Sequence, residues 1–285
     1  SSMNIFSADK SKLLYSRGKT GTSTLEDLLK NNFDWNVIPD GQSKYFLEVE
    51  QMLYKEKNLP EITFIIRNPR KRYKSGIREL LWGPHIYDAQ PMTDKEFFES
   101  LARHKTTEKR FFLSDDHAYS KAFWENSVSF LMGITNGDFS FNNNYHVSNW
   151  LHEVLFAIIL GYDVNLVKTE DLDNFCKERF KETPTRKNVK DQKINDIFDE
   201  IFGDAKLKCF LGLEKYLETE LAIYRFLRDD FADLDIVDRK ETALELLYRD
   251  MESNFGVNFN PNHALDKANF NRKVINYRLQ KLLSR

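Results

Sequence analysis

Two strand–turn–helix patterns, each rich in phosphate-binding groups at its turn, limit what this chain can fold into. The first is Leu13-Leu14-Tyr15-Ser16-Arg17-Gly18-Lys19-Thr20-Gly21-Thr22-Ser23-Thr24-Leu25-Glu26, an apolar run, a Gly/Thr/Ser turn and a helical period. The second, Ile62-Thr63-Phe64-Ile65-Ile66-Arg67-Asn68-Pro69-Arg70-Lys71-Arg72-Tyr73-Lys74-Ser75-Gly76, repeats that organisation with arginines. A strand that turns directly into a helix leaves the first helical N–H groups without intrachain partners. Those donors and the positive end of the helix dipole face whatever occupies the turn. A matched pair of such turns points to a ligand phosphorylated at two separated places.

In the first turn Gly21 permits close backbone approach or positive φ. Thr20, Thr22, Ser23 and Thr24 add hydroxyls, and Lys19 adds a mobile charge. This is not a Walker A loop, because Leu13 stands where the first glycine of Gly-x4-Gly-Lys-Thr belongs. The competing reading is an ordinary capped helix, with Thr22 or Ser23 as cap and Glu26 completing a capping box. In the second segment, Glu61 to Arg67 reads as a buried parallel strand, and Pro69 opens the next helix. Arg67 then falls at the carboxyl edge of the sheet, where α/β proteins bind ligands. Ser75 follows eight residues later. A planar guanidinium and a hydroxyl suit a phosphate monoester. The other cations nearby, Arg70, Lys71, Arg72, Lys74 and Arg78, read mainly as a solvated basic face.

Lys19-Thr20-Gly21-Thr22-Ser23-Thr24 resembles the 5′-phosphosulfate loop of the sulfotransferases that use 3′-phosphoadenosine-5′-phosphosulfate (PAPS). Arg67-Asn68-Pro69 with Ser75 resembles their 3′-phosphate site, and Val164 to Leu172 is similar to a later strand ending in Glu-Asp-Leu. The likeness covers roughly the first 190 residues. It implies that Lys19 and residues Thr20 to Thr24 contact the 5′-phosphosulfate, and that Arg67 and Ser75 hold the 3′-phosphate. PAPS is then the co-substrate and PAP (3′,5′-adenosine bisphosphate) the product, with no metal. Arg186 and Lys187 fall where the family places a loop over the nucleotide, but the Arg-Lys-Gly signature of the small-molecule branch is absent. That departure favours carbohydrate or protein acceptors, with carbohydrate preferred over a peptide or phenol.

Sulfuryl transfer needs in-line geometry and charge stabilisation at the leaving group, and a general base helps the acceptor. Asp40, twenty-one residues after Lys19, is the first candidate base; its offset is close to that of the catalytic glutamate in tyrosylprotein and 3-O-heparan sulfotransferases. Its neighbours Pro39 and Gly41 favour the competing reading of a simple turn aspartate. His146 is the second candidate and weakly resembles a histidine segment of carbohydrate sulfotransferases. His85 is the third, and Lys44 and Glu48 stay open. Trp82, Trp124 and Trp150 are either sugar-stacking platforms or core.

Apolar runs near 12–16, 35–39, 62–67 and 163–168 alternate with helical patterns. They predict a three-layer α/β/α fold with a central parallel sheet, of the P-loop NTPase kind, and a helical C-terminal region. The expected division is one domain over 1–285, with a nucleotide-binding core over 1–190 and a helical extension over 191–285. Helices are predicted over 94–105, 145–161, 205–229, 239–254 and 264–283. With 285 residues and 41% apolar composition, one substantial core is affordable. A net charge of −2 gives no bulk attraction to nucleic acid. Cys176 and Cys209 have neither disulfide-framework nor metal spacing. No stretch suits membrane insertion or a secretory signal. Ser1-Ser2 read as a remnant ahead of a start at Met3, which predicts a cytoplasmic enzyme of bacterial or viral origin without the anchor of Golgi sulfotransferases. Two other classes compete: a nucleotide kinase or NTPase using the first loop, and a non-catalytic adaptor on a nucleotide fold.

Overall fold

The computed structural model describes residues 3–17, 22–33, 35–37, 46–82, 119–126, 149–183, 192–203, 211–254, 275 and 277–280. Its sheet joins β1 (Met3–Phe6), β2 (Lys12–Ser16), β3 (Asn36–Val37), β4 (Glu61–Ile66) and β5 (Asp163–Lys168) in the order β3-β1-β2-β4-β5. Strands β2, β4 and β5 run parallel, with Leu13 opposite Ile62 and Ile62 opposite Val164. The expectation of a wholly parallel sheet is corrected by β1, which is antiparallel to both β2 and β3. Its turn into β2 is built on Asp9, whose Oδ1 accepts the Ser11 N–H at 3.0 Å and both the Ser7 and Ser11 hydroxyls. These donors hold the Asp9 carboxyl down at about 2, and Lys10 takes a positive φ of 58°.

Alternation along the strands separates two cores. Leu13, Tyr15, Ile62, Phe64 and Ile66 join one cluster, whereas Ile5, Leu14, Ile65 and Val167 join another. The first cluster is closed by α2 (Phe46–Glu56), α4 (Leu151–Ile159), α7 (Leu211–Arg225) and α8 (Ile236–Asn254). The second is closed by α1 (Thr22–Phe33) and α5 (Leu172–Phe180). The protein is thus mixed α/β with helices on both sheet faces. Remaining described helices are α3 (Pro69–Trp82), α6 (Gln192–Gly203) and residues 121–126. Pro69 begins α3 as its fixed φ suggests, with Asn68 as cap: its Oδ1 accepts the Arg70 N–H at 2.9 Å.

Past residue 210 the described chain is helical, with a π turn at Phe226–Asp230 between α7 and α8. Ile223, Tyr224, Phe226, Ala243, Leu247 and Met251 from this stretch pack in the same cluster as the sheet. The predicted helix 94–105 lies outside the described residues. The one predicted over 145–161 is described as α4, and of 264–283 only 275 and 277–280 are described, as helical. No helix among the described residues is long and apolar enough to cross a membrane. Cys176 is a buried free thiol whose pKa burial pushes up to about 11; Cys209 lies outside the described residues.

The sheet and α4 are joined by a buried charge network. Arg17, directly after β2, points Nη1 at Glu153 Oε2, 3.3 Å away, and donates to the Tyr15 hydroxyl at 3.2 Å. That hydroxyl donates to Glu153 Oε2 at 3.0 Å. Both charged side chains are 2% exposed. Burial and the Glu153 charge raise the Tyr15 pKa, so the phenol stays protonated as a donor. Removing one partner of such a pair leaves a buried uncompensated charge. Glu153→Gln should therefore cost about 3–5 kcal/mol in urea unfolding. The double variant Arg17→Met/Glu153→Leu should lose far less than the two single losses combined. Strict additivity would contradict this account of the pair.

Candidate functional site

Because β2 and β4 are parallel neighbours with Ser16 opposite Ile65, they leave the sheet at one edge, side by side. Adjacent strands lie about 4.8 Å apart. The turn after β2 therefore starts next to Arg67. Helix α1 begins at Thr22, so Thr22, Ser23 and Thr24 form its first turn, where backbone N–H groups lack helical acceptors. Strand β3 runs parallel to β2 with β1 between them, which puts its carboxyl end on the same edge about 10 Å from β2. β5 ends there too: the Thr169 hydroxyl donates to the Ile66 carbonyl at 3.2 Å.

Arg67 is partly buried at this edge. Burial and then the charge of Arg78 lower its pKa, while Glu170, in the turn after β5, acts in the opposite direction. A partly desolvated guanidinium beside a second guanidinium is a place where an anion gains most. Arg78 also donates to Asn195 on α6. Ser75 lies two turns into α3 and is 6% exposed. Arg70 and Lys74 turn elsewhere: Lys74 pairs with Asp199 on α6, and Arg70 lines a separate cleft.

On the other side of Arg67 lies a small cavity lined by Pro69, Arg72, Trp150 and Glu220. Glu220 on α7 accepts the Leu151 N–H at 2.7 Å and the Trp150 N–H at 3.2 Å through Oε1, holding the start of α4. Its Oε2 has no hydrogen-bond partner among the described residues. Burial, and then the neighbouring Asp250 carboxylate on α8, push the Glu220 carboxyl up to about 7 against the pull of the two N–H donors and Arg72.

Of the residues singled out in the sequence, Arg67 and Ser75 are described with their side chains. Lys19, Thr20, Gly21, Asp40, Lys44, His85, His146, Arg186 and Lys187 lie outside the described residues, and Glu48 lies in α2. Of the two readings open for the tryptophans, Trp124 and Trp150 take the core one, at 0% and 2% exposed. Trp124 stacks against Phe198 at 5.4 Å, and Trp150 against Tyr15 at 5.8 Å. Sequence reasoning missed Arg17, Glu153 and Glu220 as structural charges. The signal for Glu153 was a lone carboxylate within the apolar run Leu151-His152-Glu153-Val154-Leu155-Phe156. Among the described residues no cluster of His, Cys, Asp or Glu is arranged to hold a metal ion.

The raised Glu220 pKa has a definite sign. Between the ordinary carboxylate value and about 7 the folded state binds more protons than the unfolded chain, so this group's contribution to stability falls as pH rises through that window. The loss is on the order of 3 kcal/mol. Glu220→Gln keeps an acceptor for both N–H groups and removes the titration. Thermal melting at pH 5 and pH 8 should show the Gln variant losing less stability over that range than the wild type. Parallel profiles for the two proteins would refute the assignment. Compared with known proteins, the chain matches no family model, no curated protein and no solved structure.

Proposed function

We propose that this protein is a PAPS-dependent sulfotransferase acting on a hydroxyl or amine acceptor, with a carbohydrate favoured. The observation that supports the reading is the parallel pairing of β2 with β4, Ser16 opposite Ile65, which brings the carboxyl end of β2 and Arg67 to one sheet edge. A bisphosphate spanning two adjacent strand ends requires that neighbourhood. The reading extends to a P-loop-like three-layer fold, supported by separate cores on the two sheet faces.

When bound, PAPS supplies the sulfuryl group and PAP leaves. The chain's own residues have three tasks. Lys19 and the first N–H groups of α1 stabilise charge growing on the leaving phosphate as its bond to sulfur breaks. Arg67, with Ser75, holds the 3′-phosphate, and this anion offsets the repulsion between Arg67 and Arg78. A base drawn from Asp40, His146 or His85 takes the acceptor proton as the new bond to sulfur forms. Arg186 and Lys187 belong to the loop that would cover the nucleotide.

Thermal shift separates this reading from its rivals, because a ligand that binds only the folded state stabilises by about 2.7 kcal/mol at a hundred times its Kd. PAP should raise the melting temperature more than ATP with magnesium. A larger rise with ATP favours a kinase or NTPase, and no response to either favours an adaptor. Lys19→Ala should abolish sulfuryl transfer from labelled PAPS while leaving the melting temperature unchanged. Arg67→Ala should weaken PAP binding by about 10- to 100-fold, the range for losing a charge-assisted hydrogen bond. Full turnover in the Lys19 variant would remove that residue from the mechanism.

A further inference from the structure

A cleft of about 620 Å³ opens between α7 and α8, with the start of α3 at one end. It is distinct from the sheet edge, and α7 stands between the two, since Leu217 and Glu220 line the Arg67 cavity while Glu218, Ala222 and Arg225 line the cleft. Its floor is apolar, formed by Leu221, Ala222 and Leu246. Three guanidinium groups reach its walls: Arg70 from α3, Arg225 from the last turn of α7 and Arg249 from α8. Glu218 and Glu252 share the walls. Neither Arg225 nor Arg249 forms a side-chain hydrogen bond or ion pair with a side chain among the described residues, although Asp229 lies near enough to feel the charge of Arg225. Thr219 on α7 meets Asp250 on α8, so Glu218, Glu252 and Ser253 gather at one end of the cleft and Arg225 lies about two turns away towards the other. Ser253 adds a hydroxyl that donates to the Arg249 carbonyl at 3.0 Å and leaves its oxygen as an acceptor.

The geometry points to a binding site for an acidic saccharide in this cleft. Acidic sugars carry anionic groups spaced by hydroxyl-bearing rings. Arg225 and Arg249 would take the anionic groups as forked donors. Glu218, Glu252 and Ser253 would accept from sugar hydroxyls at their end of the cleft, and the apolar floor would meet the C–H face of a ring. A nucleic acid fits this lining poorly. It places a charge at every residue against two carboxylates, and among the described residues the cleft lining offers no aromatic ring for a base to stack on. The volume falls within the range of sites that enclose a small ligand. The inference stands on the cleft alone and does not depend on the nucleotide reading.

The test titrates the full chain with a hyaluronan hexasaccharide, which carries one carboxylate on every second ring, and with an uncharged chitin hexasaccharide of equal length. Calorimetry should show binding of the acidic sugar only, weakening as salt is raised. Arg225 and Arg249 are both exposed, so the double variant Arg225→Glu/Arg249→Glu should fold normally by circular dichroism. It should lose at least about tenfold in affinity for the acidic sugar. Its PAP-induced thermal shift should match the wild type, which separates this site from the sheet edge. Equal binding of the neutral sugar, no binding of the acidic one, or undiminished binding by the double variant would each overturn the inference. Citrate binding as tightly as the hexasaccharide would overturn the saccharide class.

Discussion

The parallel register of β2 against β4 is the constraint on which the rest of the architecture depends. With Leu13 opposite Ile62 and Ser16 opposite Ile65, both strands are buried on two faces and both turns emerge on one side. A slip of one residue would move Tyr15 and Phe64 from one core cluster to the other. It would also carry Arg17 away from Glu153, stranding two buried charges. The ion pair and the aromatic packing of Tyr15 on Phe64, at 5.7 Å, therefore specify the same register from two directions. The position of Arg67 beside the carboxyl end of β2 follows from that register.

Charged groups in this protein divide into those that hold the frame and those that face outward from it. Arg17 and Glu153 tie the sheet to α4, and Glu220 holds the start of α4 from α7. Arg278 bridges to Glu50 at 2.9 Å, tying residue 278 to α2. Arg67, Arg225 and Arg249 are different. Arg67 sits at the sheet edge, and Arg225 and Arg249 line the cleft. Helix α7 connects the two regions, since one of its faces reaches the Arg67 cavity and another the cleft.

How much of this was legible in the sequence depended on whether the signal was local. Strand β4 was readable because Ile62, Phe64, Ile65 and Ile66 form a nearly continuous apolar run, and Pro69 marked the helix start. Strand β1 was not, because four residues give too short a period, although Ser7 and Asp9 carried turn chemistry. Its antiparallel insertion depends on a pairing partner that no window along the chain reveals. Arg17 was visible as part of a basic turn, but its burial required a carboxylate 136 residues away. Glu220 carries no local sequence signal, and only the packing of α7 against α4 and α8 buries it. Trp124 and Trp150 illustrate the converse: aromatic residues suited to sugars were taken up by the core.

The most direct measurement is diffraction from crystals grown with PAP. The account predicts the 3′-phosphate within hydrogen-bonding distance of the Arg67 guanidinium, about 2.7–3.2 Å. The 5′-phosphate should sit against the turn that opens α1, so that one nucleotide spans the ends of β2 and β4. Density for PAP away from this edge, or with its 3′-phosphate turned from Arg67, would contradict the central claim.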